Sequence, residues 1–126
     1  MRIAFFTPLN PIPTGISDYS EELLPALSEL AEVDVFIDDY EPTNEELKRR
    51  LPVYSYCRYE ELAAVRHYDV NLYQMGNSIH HAYIYKMLRR RPGVTVLHDV
   101  VLHHFLGGVF LDGGDIEADI REIGYS

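Results

Sequence analysis

Five short apolar runs, each separated by a helix-patterned segment, constrain this chain more than any other feature. The runs are "RIAFFTP" (Arg2–Pro8), "VDVFID" (Val33–Asp38), "VYSY" (Val53–Tyr56), "DVNLYQM" (Asp69–Met75) and "VTVLHD" (Val94–Asp99). The first is continuously apolar, which suits a central parallel strand buried on both faces. Ile16 to Ala31 places Ile16, Tyr19, Leu23, Leu27 and Leu30 at helical spacing. Ser17 is the expected N-cap there, with Asp18, Glu21 and Glu22 in the first turns. Pro25 inside the pattern predicts a kink or two abutting helices. Thr43–Leu51 predicts a short helix capped by Thr43 or Asn44, with Glu45 or Glu46 placed for a capping box. Arg58–Val65 predicts another, and Ile79–Arg91 a longer one, stopped by Pro92 and Gly93. The segment after Asp99 is expected to be helical, with a break at Gly113–Gly114.

Strands alternating with helices imply a parallel sheet with right-handed crossovers. The predicted fold class is α/β: a Rossmann-like doubly wound parallel sheet of about five strands flanked by helices. The expected strand order is 3-2-1-4-5. The length, 126 residues, fits one domain over 1–126.

The formal net charge of −9 argues against nucleic acid as a partner, since such binding needs a basic face. The two basic runs, Lys48–Arg50 and Arg89–Arg91, close predicted helices, where cations complement the negative end of the macrodipole. Nothing in them selects a membrane surface, and no residue pattern selects an oligomeric state. The single cysteine, Cys57, cannot form an intrachain disulfide and is expected to pack buried or half-buried. The amino terminus is too short in apolar residues for a membrane span. A cytoplasmic protein is expected.

In a doubly wound sheet, ligands bind beyond the carboxyl ends of the strands, where the strand order reverses. Three loops are predicted to converge there: Pro8–Ser17, Gly76–His80 and His98–Asp99. In "PLNPIPTGIS", Gly15 before a helix would let backbone N–H groups approach a ligand, with Ile16 beside it. A tight turn needing glycine explains the same residue. The acidic first turn disfavours a phosphate, unless those side chains point away. In "YQMGNSIHH", Asn77 offers both a donor and an acceptor, and Ser78 can cap the next helix. His80 and His81 diverge by about 100° on a helix, so one is expected to face the crevice.

Five of the six histidines fall between Ile79 and Phe105. His98 closes a strand at the crevice mouth, where a near-neutral side chain suits acid–base work or a hydrogen bond to a hydroxyl. Asp99 is either a ligand contact or the cap of the next helix. His103 lies four residues on from Asp99, which accounts for a local pair without a ligand. Tyr73, Tyr83 and Tyr85 are expected to be core residues with polar tips. The "HH…HD" pattern resembles metal-dependent phosphohydrolases, but their motifs sit on helices in an all-helical domain. Standard zinc spacings are absent, so no metal is expected.

Two longer stretches carry a family resemblance: "MRIAFFTPLNPIPTGISDYSEELLPAL" and "LYQMGNSIHHAYIYKMLRRRPGVTVLHDVVLHHF". Together they cover well over half the chain. They resemble the amino-terminal domain of family 4 glycosyltransferases, formerly group 1. The resemblance implies one half of a GT-B fold, with acceptor binding as its main task. It implies that Gly15 and Ile16 lie near the donor sugar and that His98 contacts the transferred sugar. Asn77, His80 and Asp99 are implied more weakly as substrate contacts.

The implied reaction is retaining transfer from a nucleotide-sugar donor to a hydroxyl acceptor, without a metal or other cofactor. The family's carboxy-terminal, nucleotide-binding domain is not in these 126 residues. Glu21 and Glu29 share the spacing of its Glu-x7-Glu motif but lie in the first helix, so no role transfers to them. The chain is therefore expected to be a piece of a longer enzyme, inactive alone. A non-catalytic Rossmann-like binding module is the alternative, and a metal-dependent phosphohydrolase the more distant one.

Overall fold

A computed structural model describes residues 1–76 and 78–98. Five strands form one all-parallel sheet: β1 (Arg2–Phe6), β2 (Glu32–Ile37), β3 (Val53–Ser55), β4 (Val70–Met75) and β5 (Val94–Leu97). Their order is β3-β2-β1-β4-β5, as the sequence predicts. Among the described residues four α-helices flank it: α1 (Gly15–Ser28), α2 (Glu45–Arg50), α3 (Tyr59–Arg66) and α4 (Ala82–Arg90). The fold is α/β and Rossmann-like.

The alternation of β1 divides its side chains between two cores. Ile3 and Phe5 pack with Leu24 of α1, Leu47 of α2, and Val33, Val35 and Ile37 of β2. Ala4 and Phe6 join Phe36, Tyr59, Tyr73, Met75, Ile84 and Met87 on the opposite face. Phe6 stacks on Phe36 and Tyr73, with ring centroids 5.2 and 4.7 Å away. Tyr73, Tyr83 and Tyr85 are buried, as expected. Burial on both faces explains why β1 reads as an unbroken apolar run after Arg2.

Several boundaries differ from the sequence expectation. Thr14, not Ser17, caps α1: its extended backbone turns Oγ1 to accept from the Ser17 N–H at 3.1 Å. Ser17 lies buried inside the helix. Helix α1 runs continuously past Pro25 but stops at Ser28, where the Ser28 hydroxyl donates to the Pro25 carbonyl. Leu30 is consequently exposed rather than part of the apolar stripe. Asn44 caps α2 by accepting from Leu47 N–H at 3.0 Å. That register puts Leu47 where a capping box needs a glutamate. A 3-10 turn over Ile79–His81, capped by Ser78, precedes α4. Another, Tyr56–Arg58, precedes α3 and carries Cys57 on the surface. The expectation that Cys57 packs inside is therefore corrected. No helix among the described residues is long and apolar enough to cross a membrane.

Candidate functional site

The carboxyl edge of the sheet brings together the ends of β1, β4 and β5 with the start of α1. Thr7 follows β1, and its Oγ1 lies 2.6 Å from Ser20 Oγ of α1, both residues being buried. The Tyr83 hydroxyl of α4 reaches over the sheet to the carbonyls of Thr7 and Phe36, at 2.6 and 3.0 Å. The floor of the crevice is thus fixed from both sides.

The loop between β1 and α1 is held by the acidic residues that follow it. The Asn10 N–H donates to Glu21 Oε2 at 2.6 Å, and Asn10 Nδ2 donates to Asp18 Oδ1 at 2.9 Å. Glu21 Oε1 also accepts from Asn44 Nδ2 at 2.8 Å. Asp18 and Glu21 are therefore loop anchors, turned to the amides of Asn10 and Asn44. The Leu9 N–H donates to the Tyr40 hydroxyl, which in turn faces the Leu9 carbonyl. Burial pushes the Tyr40 hydroxyl up to about 12. The Asn10–Pro11 peptide is cis.

The two glycines of the crevice differ. Gly15 opens α1 and is exposed, and a Cβ there would meet nothing within 4 Å. Sterics within the described fold do not require glycine at 15, which corrects the tight-turn explanation. Gly76, just beyond β4, is the crowded one. A Cβ there would overlap Ile16 Cδ1 and come within 2.8 Å of His81 Cε1. Ile16, expected near a ligand, is buried with its side chain directed at Gly76. That contact docks the start of α1 on the end of β4.

His80 and His81 diverge as helical geometry demands. His81 is 1% exposed, its Nδ1 lying 3.4 Å from the Ser78 carbonyl. His80 is half-buried, and its N–H donates to Ser78 Oγ at 3.1 Å. His80 is the more accessible of the pair.

His98 follows β5 directly. Its N–H donates to the Met75 carbonyl, extending the β4–β5 ladder by one bond. Its Nε2 lies 2.6 Å from Gln74 Oε1. Tyr19 of α1 meets the ring edge-on, centroids 4.9 Å apart. Directly after β5, one half-buried imidazole therefore touches both β4 and α1. Gln74 is not among the residues the sequence singles out, although a glutamine inside the apolar run "NLYQM" signals a buried polar group with a partner. Asn77 and Asp99, like His103 and His104, lie outside the described residues.

Among the described residues no group of three His, Cys, Asp or Glu side chains could hold a metal ion. A hollow of about 540 Å³ opens at the opposite, amino-terminal edge, lined in part by Met1, Arg2, Glu32, His67 and Asp69. Arg2 there is engaged with Glu32 and the Arg66 carbonyl. Ligands of doubly wound sheets bind at the other end, where His98 and Gly76 are. No protein-family model, curated protein or solved structure matches the chain.

Proposed function

We propose that this chain is the acceptor-side, amino-terminal domain of a retaining family 4 glycosyltransferase, one half of a GT-B fold. One observation carries the reading. His98, Gly76 and the start of α1 meet at the carboxyl edge, at the switch point between β1 and β4. A neutral imidazole there can hydrogen-bond a sugar hydroxyl. The exposed Gly15 leaves backbone room for a hydroxylated ligand. The parent reaction moves a sugar from a nucleotide-sugar donor to a hydroxyl acceptor. Charge on the departing phosphate must be stabilised electrostatically, and on this reading a second domain supplies that. The 126-residue chain alone then transfers no sugar. A reducing, cytoplasmic setting suits its one exposed, unbridged cysteine.

The test is the gene product that carries this chain. A second Rossmann-like domain downstream, with a Glu-x7-Glu motif and retaining transfer from a nucleotide sugar, supports the proposal. A reading frame closing at Ser126, with a purified product that binds ligand but transfers nothing, replaces it with a binding module. Robust transfer by the 126-residue chain alone also contradicts it.

A further inference from the structure

Glu21 of α1 faces two donors that come from different loops. Its Oε2 accepts from the Asn10 N–H at 2.6 Å, and its Oε1 accepts from Asn44 Nδ2 at 2.8 Å. Asn10 lies between β1 and α1, and Asn44 ends the loop between β2 and α2. The Asn44 amide has its orientation fixed, because its oxygen accepts from the Leu47 N–H, which leaves Nδ2 for Glu21. The same two loops also meet directly. The Thr43 N–H donates to the Asn10 carbonyl at 3.0 Å, and the Tyr40 hydroxyl bonds both the N–H and the carbonyl of Leu9. We infer that Glu21 is a positioning residue: its carboxylate clamps the β1–α1 loop to the β2–α2 loop and so fixes the crevice wall that leads to Gly15.

The chemistry of the two donors selects the residue. A backbone N–H and a side-chain NH2 group can only donate. An ionised carboxylate accepts at both oxygens and donates nothing, so it serves both, and such charge-assisted bonds are the stronger kind. A glutamine at position 21 would offer one oxygen and one NH2 group. It would hold one loop and set a donor against the donor of the other. An alanine would release both. The clamp consists of the chain's own residues and needs no ligand. Its bearing on a donor sugar near Gly15 rests on the function proposed above; the clamp itself does not.

The test is NMR of the 126-residue chain. A coupling across the hydrogen bond, between the Asn10 amide nitrogen and the Glu21 carboxyl carbon, is expected in the wild type. Its absence overturns the inference, even if no variant folds. In Glu21→Ala, exchange of the Asn10 and Thr43 amides should speed up about ten-fold or more relative to amides of β4, the scale of a lost hydrogen bond to a charged group. In Glu21→Gln, only one of the Asn10 amide and the Asn44 side-chain amide should keep its wild-type shift. Unchanged exchange in Glu21→Ala, or equal acceleration along the whole chain, overturns the inference, as does a Glu21→Gln variant that keeps both shifts. In the intact gene product, Glu21→Gln should raise KM for the nucleotide sugar it turns over more than it lowers kcat, with the melting temperature within about 4 °C of wild type. Activity lost only in step with the folded fraction would overturn the positioning role. Absence of transfer by the wild-type gene product would defeat the functional proposal and leave the coupling and exchange results standing.

Discussion

Gly76 and His81 lie so close that no side chain fits between them: a Cβ on Gly76 would sit 2.8 Å from His81 Cε1 and 3.0 Å from Nε2. His81 is 1% exposed, and Ile16, on the other side of the glycine, is 8% exposed. Both are buried, so one or the other must shift to admit a methyl group. Overpacking of this kind costs about 1–3 kcal/mol. Gly76→Ala is expected to lower the urea midpoint by that free energy at an unchanged slope. An unshifted midpoint would mean that Ile16 and His81 repack without strain.

Gly15→Ala should act in the opposite direction on stability. The position opens α1 with free space around it. Alanine reduces the freedom of the unfolded chain, and such changes stabilise by about 0.4–1 kcal/mol. On the proposed function, the added methyl would stand where backbone and ligand approach. A raised midpoint with reduced transfer is the expected pair of results. A raised midpoint with full transfer would remove Gly15 from the site.

Tyr83→Phe removes a hydroxyl that binds the carbonyls of Thr7, just after β1, and Phe36, near the end of β2. Two buried acceptors would lose this donor, for an expected loss of about 1–3 kcal/mol. Hydrogen exchange at the amides around Thr7 should speed up more than exchange in α2. Uniform acceleration across the chain would assign the hydroxyl to global stability alone.

Buried and half-buried tyrosines are expected to set the alkaline limit of the fold. Burial raises the hydroxyls of Tyr40, Tyr68, Tyr73 and Tyr83 above the ordinary value, Tyr40 to about 12. Unfolded tyrosine ionises near 10, so the unfolded state loses its protons first. The stabilisation is fully present below about pH 10 and is lost as pH rises through the folded values. For Tyr40 that window runs from about 10 to about 12. Unfolding free energy should fall steeply with pH above 10, and a slope near zero there would contradict these burials.

The sheet was legible because its determinants are local and periodic. Apolar runs of strand length alternate with helical patterns, and crossover handedness leaves few orders to choose from. Caps were less legible. Thr14, Ser17, Thr43 and Asn44 can all cap, and only the backbone turn decides between neighbours. The candidate His98 was legible because a polar residue at the end of an apolar run marks a strand end. Contacts set by spatial neighbours were not legible: the crowding at Gly76 comes from Ile16 and His81, and one partner of His98 is Gln74, 24 residues away. His80 and His81 could be separated only once the 3-10 turn fixed which one points inward.

His98→Ala in the intact gene product, measured for both turnover and melting temperature, tests the central claim most directly. The account predicts a fall in kcat of about 100-fold or more, the scale of a lost acid–base or hydrogen-bonding group. The melting temperature should move by only about 2–4 °C, the scale of roughly 1 kcal/mol. Unchanged turnover, or turnover lost only in step with the folded fraction, would place His98 in the scaffold and contradict the account.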